Sequence, residues 1–369
     1  MPQVNKIRRI VIASVLKPVD ETRMFEKIGG SLAHAGHDVH IIGFPTAKEI
    51  TAVSGITLHP ITEEPFSRLS LTRFLASFRA FFIALKLKPK YLIIATHELL
   101  LMAFWCKMFT GCTVLYDMQE NYYRNIRFTE AFPAGLRFLL ACWVRLKEYL
   151  LRPVIATYLL AEKGYEQELR FARPCIVLEN KITHAVAEQF RKNEQTGYSR
   201  LLFSGTLAET TGVFHAIELA KELHRLDVSF TLTIIGHCAS AITFKKLQEL
   251  AQQDSFIRLL ASERPLPHDA ILQEVNRADF GIIWYPPNLS TACSIPTKLY
   301  EYIGLNLPVL ISHNAESHNL VEQHNAGIIL HQPIDYQELI SNMKSFKLSE
   351  NNPELYFDND VSALMGLLE

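Results

Sequence analysis

The sequence lacks the marks of several common classes. Its six cysteines (Cys106, Cys112, Cys142, Cys175, Cys238 and Cys293) form no CxxC pair and accompany no histidine cluster at ligand spacing. A zinc site is not expected, and scattered single thiols suit a reducing, cytoplasmic setting. No stretch reaches the roughly 20 uncharged residues that a membrane-spanning helix needs. The opening MPQVNKIRRIVIASVL reads as a first strand, because its basic residues lead into a β-branched run with no small-residue cleavage site. An excess of charge is also missing. The 37 Lys and Arg stand against 38 Asp and Glu, a net charge of −1, which gives no reason to expect nucleic acid as a partner. Glycine is absent between Val11 and Lys27, so no G-x-G-x-x-G follows the first apolar run. That argues against a dinucleotide-binding dehydrogenase.

What is present is globular: 49% hydrophobic and 20% charged residues over 369 positions. This length exceeds the roughly 250–300 residues at which one core stops growing. Apolar strand-like runs alternate with helix-like runs. Strands are expected at 9–16, 38–43, 91–96 and 113–117, with helices at 23–35, 74–87 and 99–109 between them. The same grammar restarts with strands at 200–204, 229–235, 256–260, 280–284 and 308–312, separated by helices at 213–226, 243–254, 269–277 and 296–304. Near-continuous apolar strands between helices indicate a parallel sheet covered on both faces. Polar 181–199 reads as helix plus linker. The expectation is α/β: two Rossmann-like, doubly wound domains, 1–190 and 191–369, facing across a cleft, with chemistry at the carboxyl ends of the strands.

The sharpest motif is IPTKLYEYIGLNLPVLIS, from Ile295 to Ser312. Pro296 suits the first position of a helix, Gly304 its end, and Lys298, Glu301 and Tyr302 share one face at i, i+3 and i+4. A helix N-terminus with free N–H groups beside a lysine suits a diphosphate. A carboxylate one turn on suits a ribose. Spacing alone also fits an ordinary amphipathic helix with a surface Lys–Glu pair.

This segment resembles the donor-binding helix of GT-B glycosyltransferases, above all the family-4 (group 1) branch, where P-x-K-L-x-E-Y-x-x-x-x-x-P-V-L recurs. The resemblance runs in order along the chain, through DETRMFEKIGGSLAHAGHDVHIIG (Asp20–Gly43), THE (Thr96–Glu98), YDMQEN (Tyr116–Asn121), Val177–Asn180, Phe203–Thr206 and Ile234–Gly236. It implies that a sugar passes from a nucleotide-diphosphate sugar, a UDP- or GDP-sugar serving as co-substrate, to a glycan or lipid-linked acceptor. It further implies retention of configuration, with neither cofactor nor metal. Glu301 would hold the ribose and Lys298 the diphosphate, with Pro296 and Thr297 lending helix-end backbone. Gly205, Thr206 and Gly236 would lie against the nucleotide, and residues 288–294, Ser294 included, over the sugar. The chain departs from the pattern at three places. The family spaces two carboxylates E-x7-E, but the first position here is Cys293. Its diphosphate-binding Arg and Lys correspond to Thr206 and Thr211. A nucleotide-sugar epimerase of similar fold and an inactive nucleotide-sugar binder are the alternatives.

The N-terminal domain is expected to take the acceptor. Asp117, Glu120 and Glu98 are the candidate bases, with His97 either catalytic or structural and Asp117 otherwise a turn residue. Gln119 stands where the family often has histidine, and an amide orients a hydroxyl without acting as a base. Lys17, Asp20 and Arg23 flank the loop after the first strand and are placed on the acceptor side. Two stretches, 68–90 and 136–151, interleave Phe, Leu and Trp with Arg and Lys. Such helices suit the inner face of an anionic membrane. They equally suit helices packed on the sheet by an apolar face, with arginine and lysine outward.

Overall fold

The computed structural model describes residues 7–45, 53–62, 71–128, 132–191, 197–264, 266–286, 294–312, 314–348 and 353–368. The chain divides into two compact units, 1–180 with 357–369, and 181–356.

The first unit is built on seven parallel strands: β1 (Arg9–Pro18), β2 (Asp38–Phe44), β3 (Ile56–Pro60), β4 (Tyr91–Ile94), β5 (Thr113–Met118), β6 (Ile155–Leu160) and β7 (Cys175–Val177), in the order β3-β2-β1-β4-β5-β6-β7. The second has six: β8 (Arg200–Thr206), β9 (Thr231–His237), β10 (Ile257–Ser262), β11 (Phe280–Trp284), β12 (Val309–Ser312) and β13 (Gly327–Ile329), in the order β10-β9-β8-β11-β12-β13. The order reverses between β1 and β4 in one sheet and between β8 and β11 in the other. Such reversals open a crevice at the strands' carboxyl ends. Alternate residues of each strand enter opposite cores. Val11, Ala13 and Val15 of β1 pack with the Leu71–Leu87 and Leu100–Thr110 helices, whereas Ile10 and Ile12 meet Met24, Ile28 and Leu32. Both faces are therefore covered, as the unbroken apolar runs predicted.

The structure departs from the sequence reading in four ways. The unit boundary falls at Asn180/Lys181 rather than near 190, because the His184–Phe190 helix packs on the His268–Arg277 helix, Asn276 Nδ2 donating to Phe190 O at 2.7 Å. The C-terminal helix Phe357–Leu368 joins the first unit instead of the second, burying Phe357, Leu364 and Leu368 beside Ile10 and Leu32. The expected helix 23–35 is a π-helix over Arg23–Gly29 followed by an α-helical turn, Gly30–His34. A Cβ on Gly29 would lie 2.6 Å from Met24 O, so glycine is what the wide turn accommodates. Short strands without a long apolar run, β3, β7 and β13, have no counterpart in the sequence reading, nor does β6.

Candidate functional site

In the second unit, β8 ends on Ser204-Gly205-Thr206, beside β11. The helix Thr297–Gly304 then brings three side chains of one face to this strand end. Pro296 is its cap rather than its first residue, and no side chain caps it. Tyr302 Oη meets Ser204 Oγ at 2.7 Å and accepts from Ser204 N at 3.1 Å. Its ring leaves room only for glycine on β11, since a Cβ on Gly281 would come 2.3 Å from it. Lys298 Nζ sits 4.0 Å from the Phe203 ring centre and 5.0 Å from that of Tyr285, and donates a long 3.4 Å hydrogen bond to Ser204 O. Aromatic faces and one carbonyl compensate only part of the lost hydration. Burial accordingly pulls the Lys298 pKa down to about 7, with Glu301 opposing the shift. Among the described residues Lys298 makes no ion pair. Glu301, 9% exposed, is held by His268, whose Nε2 lies 2.9 Å from Oε1. His268 is the first residue of its helix, 33 positions before Glu301. No sequence signal links the two.

The expected glycines divide in role. Gly236 (φ +156°) is imposed by the neighbouring strand, for a Cβ there would lie 1.8 Å from Gly205 O. Gly205 (φ +105°) has nothing within 4 Å of its Cβ direction and so presents open backbone. Thr206 is exposed, and its carbonyl accepts from Thr211 Oγ1 at 2.6 Å. Thr211 also accepts from Ala208 N, so it closes the loop without supplying charge. Thr297 is exposed, Pro296 half-buried, and Ser294 O accepts from Asn314 Nδ2 at 2.7 Å. Cys293 and the rest of 288–293 lie outside the described residues.

In the first unit the geometry reassigns two residues. Asp117, expected as a base, is 1% exposed and held bidentately by Arg23, with Nη2–Oδ1 at 2.7 Å and Nε–Oδ2 at 3.0 Å. Gln119 Nε2 donates to the same carboxylate at 2.9 Å. Arg23, expected to face an acceptor, spends Nη1 on Leu178 O (2.7 Å) and Asn180 Oδ1 (2.9 Å). Burial disfavours its charge, but Asp117 outweighs that and raises its pKa. The pair and its amide partners therefore tie β5 to the 178–180 segment. Lys27 reinforces the tie by donating to Asn180 O at 2.9 Å.

His97 Nδ1 lies 2.9 Å from Lys147 Nζ, and its Nε2 3.6 Å from Glu98 Oε1. An ammonium only donates, so Nδ1 accepts and the ring proton sits on Nε2. Glu120 accepts from Asn125 Nδ2 at 2.6 Å. Lys17 and Asp20 are half-buried after β1. Lys147 and Arg145, read from sequence as outward charges, turn inward instead. Arg145 lies 4.7 Å over the Phe171 ring, donates to Asn121 Oδ1 at 2.7 Å and pairs with Glu148 at 3.4 Å. Burial lifts the Glu148 pKa to about 7, and Tyr116 Oη donates to it at 3.3 Å.

Residues 220–352 match the family model described as the glucosyltransferase 3-like C-terminal domain. No curated protein matches the sequence significantly. The chain superposes on sucrose-phosphate synthase from Thermosynechococcus elongatus with a TM-score of 0.64 at 13% identity, over 98% of both chains. It superposes on Anabaena HepE in complex with UDP and glucose with a TM-score of 0.61 at 13% identity, over 98% of this chain and 99% of that one. It is also similar to a Listeria monocytogenes protein described as a candidate UDP-N-acetylglucosamine 2-epimerase, with a TM-score of 0.62 at 10% identity over 98% of this chain and 96% of that one. The chain thus has the α/β fold of the GT-B glycosyltransferases, and its residues 220–352 match a glucosyltransferase domain.

Proposed function

We propose that the chain transfers a sugar from a nucleotide-diphosphate sugar to a glycan or lipid-linked acceptor in the cytoplasm. The observation that carries this reading is the convergence of Lys298, Glu301 and the open Gly205 backbone at the end of β8. Lys298 is a buried cation that meets only aromatic rings and one carbonyl among the described residues, so a diphosphate completes it. Glu301, oriented by His268, offers acceptor oxygens to the ribose hydroxyls. The helix start above them adds N–H donors.

In the first unit Asp117 and His97 are committed to Arg23 and Lys147. That suits a retaining reaction without a metal, in which the leaving phosphate oxygen takes the acceptor proton and Glu98, Glu120 and Gln119 orient the hydroxyl. The likeness to a 2-epimerase keeps sugar interconversion as the second reading.

Calorimetric titration with UDP, GDP and ADP tests the donor grip. Glu301→Ala is expected to weaken the preferred nucleotide by about 1.5–3 kcal/mol through loss of charged hydrogen bonds. Unchanged affinity sinks the assignment. Product analysis with the matching sugar nucleotide then separates transfer and slow hydrolysis from interconversion.

A further inference from the structure

Three helices on one face of the first sheet carry large apolar residues on their outer sides as well as on their inner ones. The Leu71–Leu87 helix buries Ala76, Ala80 and Ala84 and leaves Leu75, Phe78 and Phe82 roughly half exposed. The Leu100–Thr110 helix turns Leu101, Trp105, Met108 and Phe109 outward, the last two 66% exposed. The Ala134–Leu150 helix buries Ala141, Val144 and Glu148 while Leu139, Trp143, Leu146 and Leu150 point to solvent at 49–67% exposure. The inward sides are spent on the sheet core by Ala76, Ala80, Ala84, Leu100, Met102 and Cys106, and on the Tyr122–Phe128 helix by Ala141 and Val144, and large apolar residues remain outside.

The three helices lie on one side of the sheet, and the outer faces of the first two are neighbours. The first two helices pack on each other, with Phe81 and Phe109 ring centres 6.4 Å apart. The third is fastened to the same side of the sheet by Glu148 on Tyr116 and by Tyr149 on Phe171, two residues of the core those helices share. Monomeric proteins seldom leave an apolar area this extensive uncovered.

Charge identifies the cover. The first two helices contain no acidic residue, and the single one in the third, Glu148, is 2% exposed and turned into the sheet. The exposed cations on or beside these helices are Arg79, Lys86, Lys88, Lys90 and Arg127, the last lying over the Phe138 ring at 5.5 Å. Helices with exposed apolar side chains and cations and, among their described residues, no exposed carboxylate are complementary to acyl chains beneath anionic headgroups. Among the described residues no helix is long and apolar enough to cross a membrane, so the contact is interfacial.

We propose that this three-helix face docks the protein onto the surface of an anionic bilayer. The surface needs no sugar nucleotide, and it stands apart from the transferase reading. The test is flotation of the full chain with vesicles of phosphatidylglycerol and phosphatidylcholine, or of phosphatidylcholine alone. Retention is expected on the anionic vesicles, weakened by salt, and at least tenfold lower for Leu139→Glu with Trp143→Glu, exposed positions where the melting temperature should be kept. Brominated acyl chains should quench the wild type but not Trp105→Phe with Trp143→Phe, which keeps only Trp284. Failure of the wild type to bind anionic vesicles, or equal binding by the charged variant, overturns the proposal. So does a dimer in gel filtration that Leu139→Glu with Trp143→Glu turns monomeric, since that gives the face to a second copy.

Discussion

Each unit buries a cation near the carboxyl end of its central strand, and the two cations are treated oppositely. Arg23, after β1, meets a carboxylate, an amide and a main-chain carbonyl that together take four of its five N–H donors. Lys298, at the end of β8, meets two rings and one distant carbonyl. The first arrangement raises the pKa of its cation, and the second lowers it to about 7. A well-supplied pair holds structure together. An undersupplied ammonium gains from an anion that arrives later. Burial alone therefore does not separate architectural from ligand-binding charge; the completeness of the partner set does.

The largest effect should come from breaking the well-supplied side. Asp117→Ala leaves Arg23 buried without its counter-charge and should cost about 3–5 kcal/mol of stability in denaturant unfolding. A variant with near wild-type stability and lost turnover would instead return Asp117 to catalysis.

On the other side, pH reports the supply of charge. In the free protein Lys298 is protonated below about 7 and neutral above it. A bound diphosphate raises that pKa. Affinity should hence be greatest below pH 7 and fall by up to about tenfold per pH unit above it, one pKa unit being about 1.4 kcal/mol. Proton uptake on binding at pH 8, seen in buffers of different ionisation enthalpy, checks the sign, and Lys298→Met should abolish it. A flat profile in the wild type would erase the contrast between the two cations.

The smallest change concerns orientation. His268→Ala should lower nucleotide affinity by about 0.5–1.5 kcal/mol, the size of one hydrogen bond, and His268→Gln should recover most of it. Loss of folding in both variants, with no separable change in affinity, would make His268 a structural prop for the helix.

Periodicity and composition sufficed for much of the architecture. Apolar runs such as those of β1, β8 and β11 are buried on both faces, which is a local property of their side chains, so they read as central parallel strands. The helix from Thr297 to Gly304 was legible for the same reason: its cap proline, its terminal glycine and the i, i+3, i+4 spacing of Lys298, Glu301 and Tyr302 are all local. Short edge strands such as β7 have three residues and no period to detect.

Partnership was not legible. Arg23 and Asp117 stand 94 positions apart, and His268 and Glu301 33 apart. In each case the residue types were visible and the pairing was not, because the strand order decides which loop ends meet. The basic aromatic stretches show the same limit. The sequence contained the phenylalanines and the alanines of 71–87, but only packing decided that Ala76, Ala80 and Ala84 face the sheet while Phe78 and Phe82 face outward. Periodicity fixes which residues share a helix face, whereas tertiary structure chooses the face to bury according to how closely the helix must approach what lies beneath it.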